Sequence, residues 1–436
     1  MEFFHELGSL VERLWRDRDY CEEVFPDIAE QALVETSPYR KVDPWDIIRW
    51  VNTATELPAQ QDIDGIFGNP PVTLYSGPRF HIDVYYWLDG TTSIHQHAFA
   101  GAFQVLLGSS IHSQYSFEEE RKINAHFSAG RITLNEVELL EEEAIRPILP
   151  GGKYIHSLFH LNRPSATIVI RTYRTPAAAP QYEYLKPYFA IDPFYKSPVM
   201  IKKIQSASLL LSMKHARADD LIGEILSCSD FQTAFSILNL AFNHLTNDQM
   251  EESFGLSVGQ ERFQSYIETA RRRHGKLVDL VLPVFEEIQR QHHIIRRRSQ
   301  ITRNEHRFFL ALLLNVPNRE KILDLVKDRF PERNPLDTMT DWIDELANTK
   351  VWGSSEPNVL GIENFDDDYL LVFRCLLEGL SIEQIKTILE EEHAVEGAKE
   401  PKGNLENLCD TIRKSIIFKA ILRDLPLAVP DSVTTG

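Results

Sequence analysis

Residues 91–108 read TTSIHQHAFAGAFQVLLG, two histidines one residue apart, followed at once by an apolar run. Successive side chains on a β-strand alternate faces, so His95 and His97 would point one way while Ile94 and Gln96 point the other. Two imidazoles on one face can share a metal ion. In a chain with fifteen histidines, though, an isolated His-x-His also reads as two exposed or core-satisfied residues. The decision rests on the surrounding sequence.

From about residue 71 to 175 the apolar period shifts towards two, in short runs separated by turn residues: PVTLYSG, FHIDVYYWLDG, AFQVLLGSSIHSQYSF, RITLNEVELL, AIRPILPGG and ATIVIRTYRT. Asp89-Gly90 and Pro150-Gly151-Gly152 are the sharpest turn signals. Several short strands in about a hundred residues predict a sandwich or barrel. The third ligand expected for His95 and His97 is His156, after the Pro-Gly-Gly turn; His160 is an alternative ligand or a residue surrounding the site.

On either side the texture is helical. In the first seventy residues Phe3, Leu7, Leu10, Val11 and Leu14 are spaced three and four apart, and Asp43-Pro44 reads as an N-cap followed by the first helical position. After about 195, segments such as SASLLLSMKHARADDLIGEIL, HRFFLALLLNV and DDYLLVFRCLLEGL keep helical spacing, with turns at Pro317-Asn318 and Pro335 and no fixed-period repeat. Residues 393–404 read as a loop, and the tail after Pro426 has little to anchor it.

The chain has 436 residues and a net charge of −18, and 43% of it is hydrophobic: a globular composition long enough for several cores. The acidic balance argues against general nucleic-acid binding. Four widely spaced cysteines and no long apolar run point to free thiols in a reducing cytoplasm and to no membrane partner. Two basic runs, Arg271–His274 and Arg296–Arg298, read as solvated helix ends, with binding of a phosphate or an acidic partner as the alternative. In LLEGLSIEQIKTILEEE (376–392), Ser381 and Gln384 have capping-box spacing; the helix they open is acidic, so a plain αα-hairpin is expected rather than a DNA reader.

His-x-His on one strand and Pro-Gly-Gly-x-x-x-His about sixty residues later resemble the two metal motifs of the cupin superfamily. Within it, IHQHAFAGAFQVLLGSSIHSQYSF looks like the first motif of the three-histidine thiol dioxygenases, of the cysteine dioxygenase and plant cysteine oxidase type. The resemblance covers roughly residues 75–176. It implies a double-stranded β-helix with His95, His97 and His156 as ligands of Fe(II), another divalent metal being the alternative. Most cupins add a glutamate four or five residues beyond the second histidine; here those positions are Gly101 and Ala102. The cysteine that crosslinks to tyrosine in cysteine dioxygenase has no counterpart in Gly101-Ala102-Phe103. Of the Ser-x-His-x-Tyr strand only the tyrosine persists, in Val169-Ile170-Arg171-Thr172-Tyr173. Tyr173 is thus the expected hydrogen-bond donor to oxygen or substrate, and Arg171 the expected partner of a substrate carboxylate or phosphate.

The resulting expectation is an α+β multidomain chain: an N-terminal helical segment (1–70), a cupin-type barrel with the metal site (71–180) and an all-α domain (195–430) that covers the barrel mouth or joins two copies as a homo-oligomer. The expected function is a mononuclear non-heme Fe(II) oxygenase acting on a small molecule and dioxygen. A metal-dependent isomerase or lyase and a non-catalytic ligand-sensing or protein-interaction module are the alternatives. His112, His160 and Gln104 are candidates for the site's surroundings, with His81 as a further lining residue; Tyr86 and Trp87 read mainly as packing.

Overall fold

The computed structural model describes residues 2–64, 67–88, 90–91, 93–213, 216–245, 258–353, 356–396 and 405–422. Asp89, most of the loop expected at 393–404 and the tail after Pro426 lie outside these residues. Twelve strands are described, in chain order β1 Pro71–Ser76, β2 Phe80–Trp87, β3 Gly90–Thr91, β4 Ile94–His97, β5 Gly101–Leu107, β6 Ser110–Asn124, β7 Phe127–Leu140, β8 Ile145–Ile148, β9 Gly151–His160, β10 Ser165–Thr172, β11 Glu183–Leu185 and β12 Phe189–Ile191.

They form two sheets. One has the order β1-β2-β10-β5-β8. The other runs β3-β9-β4-β11-β12-β7-β6, and because β6 also pairs with β9 it closes into a ring of six strands. The two strands that complete the ring, β11 and β12, lie beyond residue 180 and are three residues each, too short for an alternating pattern to register. Ile94, Tyr115, Ile155, Tyr184 and Ala190, one residue from each of five ring strands, cluster together. The opposite side chains of β4, β6 and β9 turn towards the five-stranded sheet, where Tyr85, Phe103, Val105, Tyr154, Leu158 and Val169 make a second cluster. Strand parity thereby sends His95 and His97 into the space between the sheets.

The N-terminal helices Glu2–Arg16 and Phe25–Thr36 cover the outer face of the five-stranded sheet, where Leu7, Val11, Trp15 and Phe25 pack with Phe80, Ile82, Val84 and Ile168. Gly8 permits this approach, since a Cβ there would lie 2.5 Å from the Tyr75 ring. Asp43 caps the helix Pro44–Thr53 as the sequence predicts, accepting from the Trp45 N–H at 2.9 Å.

The helices after Pro198 pack on the ring's outer side. Phe127 and Phe189 join Phe231 and Phe235 in one cluster; Ile111, Val137 and Phe159 join a second built on the helix Asn304–Asn315, which is buried from His306 to its end. A helix apolar on every face belongs inside a core. Ser381 and Gln384 close the expected capping box, at 2.9 and 3.3 Å, after Gly379 ends the preceding helix at φ +80°. No helix among the described residues is long and apolar enough to cross a membrane.

The run Arg296–Arg298 is not a solvated helix end. Arg297 and Arg298 are buried; Arg297 donates to the Val359 carbonyl at 2.9 Å and pairs with Glu356. Arg298 donates to the Arg307 carbonyl at 2.8 Å and the Leu161 carbonyl at 3.4 Å, its guanidinium 4.6 Å from the centre of the Phe159 ring. It therefore ties the helices to the end of β9. Replacing it with methionine leaves buried acceptors without this donor, a loss of about 1–3 kcal/mol. Denaturant unfolding of Arg298→Met is expected to show that loss.

Candidate metal centre

His95 and His97 sit on β4 and His156 in the middle of β9, directly across from His95 in the ladder. The Pro150-Gly151-Gly152 segment is the corner at which β9 begins, with Gly151 at φ +67°. His156 therefore occupies a strand rather than a turn. All three side chains are buried, and a ring nitrogen of each lies within 4.8 Å of the others. His97 Nε2 and His156 Nε2 are 2.8 Å apart. Two nitrogens bound at right angles to one ion at about 2.1 Å would be about 3 Å apart. The three residues fit a single divalent ion.

Their tautomers support this fit. His95 Nδ1 lies 2.7 Å from the Ser93 carbonyl, which only accepts, so the proton is on Nδ1 and Nε2 is the free donor atom. His112 Nδ1 lies 2.8 Å from the Glu138 carboxylate, so it too carries its proton there. Its Nε2 then accepts from His156 Nδ1 at 3.1 Å and from the Tyr154 hydroxyl at 3.0 Å. His156 Nε2 is thereby left with its lone pair facing the site. Arg146 completes the chain by pairing with Glu138.

Burial, reinforced by neighbouring positive charge, holds the His97 and His156 imidazoles well below the usual histidine pKa; burial lowers His95 less, opposed by its bond to Ser93. The ligands are neutral near pH 7, as metal binding requires. Burial alone would raise the Glu138 carboxyl, but its bonds to His112 and Arg146 outweigh burial and hold it at about 2.

The sites where a fourth, carboxylate ligand would come from are closed. A Cβ at Gly101 would lie 2.1 Å from the Ile170 carbonyl oxygen, and Ala102 faces the N-terminal helices. Among the described residues the group able to hold a metal is His95, His97 and His156.

The three histidines open on a cavity of roughly 490 Å³. Its far wall is made by β2 and β10, whose paired residues Asp83 and Val169, and His81 and Arg171, face it together. His81 Nδ1 lies 2.9 Å from Asp83 Oδ2, which also accepts from the Tyr85 hydroxyl at 2.9 Å. The Arg171 guanidinium stands 3.5 Å from the centre of the Phe99 ring. Tyr173 lines the cavity too, but its hydroxyl donates to the Gly77 carbonyl at 2.8 Å.

Of the expected surrounding residues, His112 contacts a ligand directly. His160 stacks on Trp87, 4.5 Å between ring centres, and its Nδ1 meets Ser110 and Ser165; it is outside the ligand group. Gln104 points away, between the Tyr39 N–H and the Glu143 carbonyl. Asp83 and Tyr85 were missed by sequence reasoning, although FHIDVYYW carries a readable signal: Phe80, Ile82 and Val84 alternate with His81, Asp83 and Tyr85. Glu138 and Arg146 left no such signal.

No protein-family model matches the chain, and no curated protein sequence matches it. Solved structures similar to parts of it include a cupin 2 conserved barrel domain protein from Rhodopseudomonas palustris, at 13% identity and a TM-score of 0.18, covering 29% of this chain and 73% of that one. A protein from Bacillus halodurans is 16% identical over 23% of this chain and 67% of its own, with a TM-score of 0.17. The capsular polysaccharide assembling protein CapF from Staphylococcus aureus is 15% identical over 36% of this chain and 43% of its own, with a TM-score of 0.21.

Two outcomes follow from the centre. Glu138→Ala is expected to weaken metal binding about ten- to a hundredfold, as loss of a ligand's hydrogen-bond support does elsewhere; Glu138→Gln, which keeps an acceptor for His112, should recover part of it in a chelator competition. The second concerns pH in the metal-free protein. Because folding lowers the pKa of these histidines, the unfolded chain takes up protons first, starting near its reference value of about 6.5. Unfolding free energy should therefore fall as pH drops from 7 towards 5, with a shallower slope in His156→Ala.

Proposed function

We propose that the strand assembly is a cupin-type barrel and that the chain is a mononuclear non-heme Fe(II) oxygenase acting on a small molecule. The observation that carries this reading is the set of three buried, neutral imidazoles, with no carboxylate position beside them, facing a cavity of roughly 490 Å³. Imidazole ligands suit iron among other metals, and three leave coordination positions open. Iron bound there would make the slow reaction of dioxygen with an organic substrate accessible.

The chain's own residues supply the rest. Phe99, Phe103, Ile148, Leu158 and Val169 line the cavity with apolar surface and keep water low around the reacting groups. Arg171, its guanidinium over the Phe99 ring, lines the cavity and offers N–H donors to an anionic substrate group. A neutral ligand set leaves a divalent ion's charge uncompensated, which favours an anionic substrate in the same way. Tyr173, with its hydroxyl bonded to Gly77, shapes the wall beside Arg171 rather than directing a proton inward.

The group of His81, Asp83 and Tyr85, in which Asp83 accepts from the Tyr85 hydroxyl and lies 2.9 Å from His81 Nδ1, favours a second reading, a metal-dependent isomerase or lyase, because it places proton-transferring side chains inside the cavity. Oxygen uptake separates the two. The helices after Pro198 are proposed as the surface through which copies associate, and the cytoplasm as the compartment.

The test is metal content by mass spectrometry on anaerobically purified protein, followed by oxygen consumption with thiols and small organic acids. Near-stoichiometric iron, lost in His97→Ala and His156→Ala, with oxygen uptake that depends on substrate, supports the oxygenase. Turnover without oxygen uptake transfers the site to the isomerase or lyase reading; ligand binding without turnover transfers it to a sensing module. Retention of metal in both variants rules out the three-histidine site.

A further inference from the structure

The basic run Arg271–His274 has no part in the metal centre, and its members have different fates. Arg271 is consumed by ion pairs with Glu268 and Asp279. Arg273 and His274, at the end of the helix Val258–His274, instead line a separate cavity of roughly 380 Å³, into which the end of β6 brings Arg121 and Lys122. The start of the helix Phe231–Leu245 contributes Asp230 and Phe231. This cavity shares no lining residue with the one at the histidines.

Its charge is unbalanced. Three permanent cations face one carboxylate, in a chain whose net charge is −18. That carboxylate is already engaged: Asp230 caps its helix, accepting from the Thr233 N–H at 2.9 Å and the Thr233 hydroxyl at 2.8 Å. Arg121 and Lys122 have no carboxylate within ion-pair distance among the described residues. Arg273 is anchored by bonds from Nε to the Ser229 carbonyl at 2.6 Å and from Nη1 to the Ser227 carbonyl at 3.1 Å, which fixes its guanidinium in place. His274 also lines the cavity, its pKa lowered by burial and by the neighbouring Arg273 charge, so the binding charge comes from Arg121, Lys122 and Arg273.

Converging cations from two elements, the end of β6 and the end of the helix Val258–His274, one of them rigidly held, form a site for a compact multivalent oxyanion. We propose that this cavity binds a phosphate group, free or as the terminal group of a small phosphomonoester whose organic part rests on Phe231. Because the site lies where a barrel strand meets two helices, an anion there bridges elements that otherwise meet through Phe127, Phe231 and neighbouring apolar side chains.

The test is isothermal titration of the full-length chain with inorganic phosphate, and separately with glycerol phosphate, at constant ionic strength maintained with chloride. Saturable binding is expected for phosphate, weakened tenfold or more in Arg121→Gln/Lys122→Gln. Both residues are exposed, so the double variant should fold; circular dichroism and an unchanged unfolding midpoint without phosphate confirm that it does. Tighter binding of glycerol phosphate than of inorganic phosphate identifies the ester as the ligand, and the reverse identifies the free ion. His97→Ala, at the separate cavity, should retain phosphate binding. Heats no larger than those of a chloride titration, or affinity undiminished in the double variant, overturn the proposal.

Discussion

The register of β4 against β9 is the constraint on which the metal centre depends. His95 lies opposite His156, and His97 shares its face by strand parity, so one register brings three imidazoles together from two parts of the chain. A slip of one residue would turn His156 to the other side of the sheet, towards Ile94 and Tyr184, and leave two ligands without the third. The register is secured on both flanks of β4, by β9 on one side and β11 on the other. The apolar residues preceding the histidines reinforce it, because Ile94 and Ile155 have a buried place only when His95 and His156 face the cavity.

The same burial sets the chemistry. Placing three imidazoles between two sheets suppresses their charged forms, opposed at His95 by its bond to the Ser93 carbonyl, and no carboxylate among the described residues joins the group. Polarity is supplied from behind instead, through Glu138 and His112. The charge of Glu138 is held near the surface by Arg146, where solvation is cheaper, while His112 carries its orienting effect inward. A charged orienting group need not be buried beside the ligand it serves.

Strand alternation and the two histidine motifs made much of the β region and all three candidate ligands legible. His112 was expected to line the pocket; it falls on an inward strand position but stands behind His156, bonded to its Nδ1, and is not among the lining residues of the cavity. Gln104 misled for a local reason: on β5 its parity places it with Ala102 and Leu106, beneath the N-terminal helices. Strand β9 was obscured by its opening glycines, which read as a turn, and β11 and β12 by their brevity. The Glu138–Arg146 pair was invisible because its role depends on the register of β6 and β7, which no local pattern encodes. Arg298 illustrates the converse: a basic triplet at a helix end looks solvated until another segment's carbonyls are brought to it.

The closing of the ring by β11 and β12 also has a temporal side. A nascent chain emerges from its N-terminus, and β4, with two of the ligands, appears about sixty residues before His156 and nearly ninety before the strand that flanks it. Until then β4 has an exposed edge, able to pair with another strand. The pocket at the three histidines is therefore completed late, once synthesis has passed Ile191.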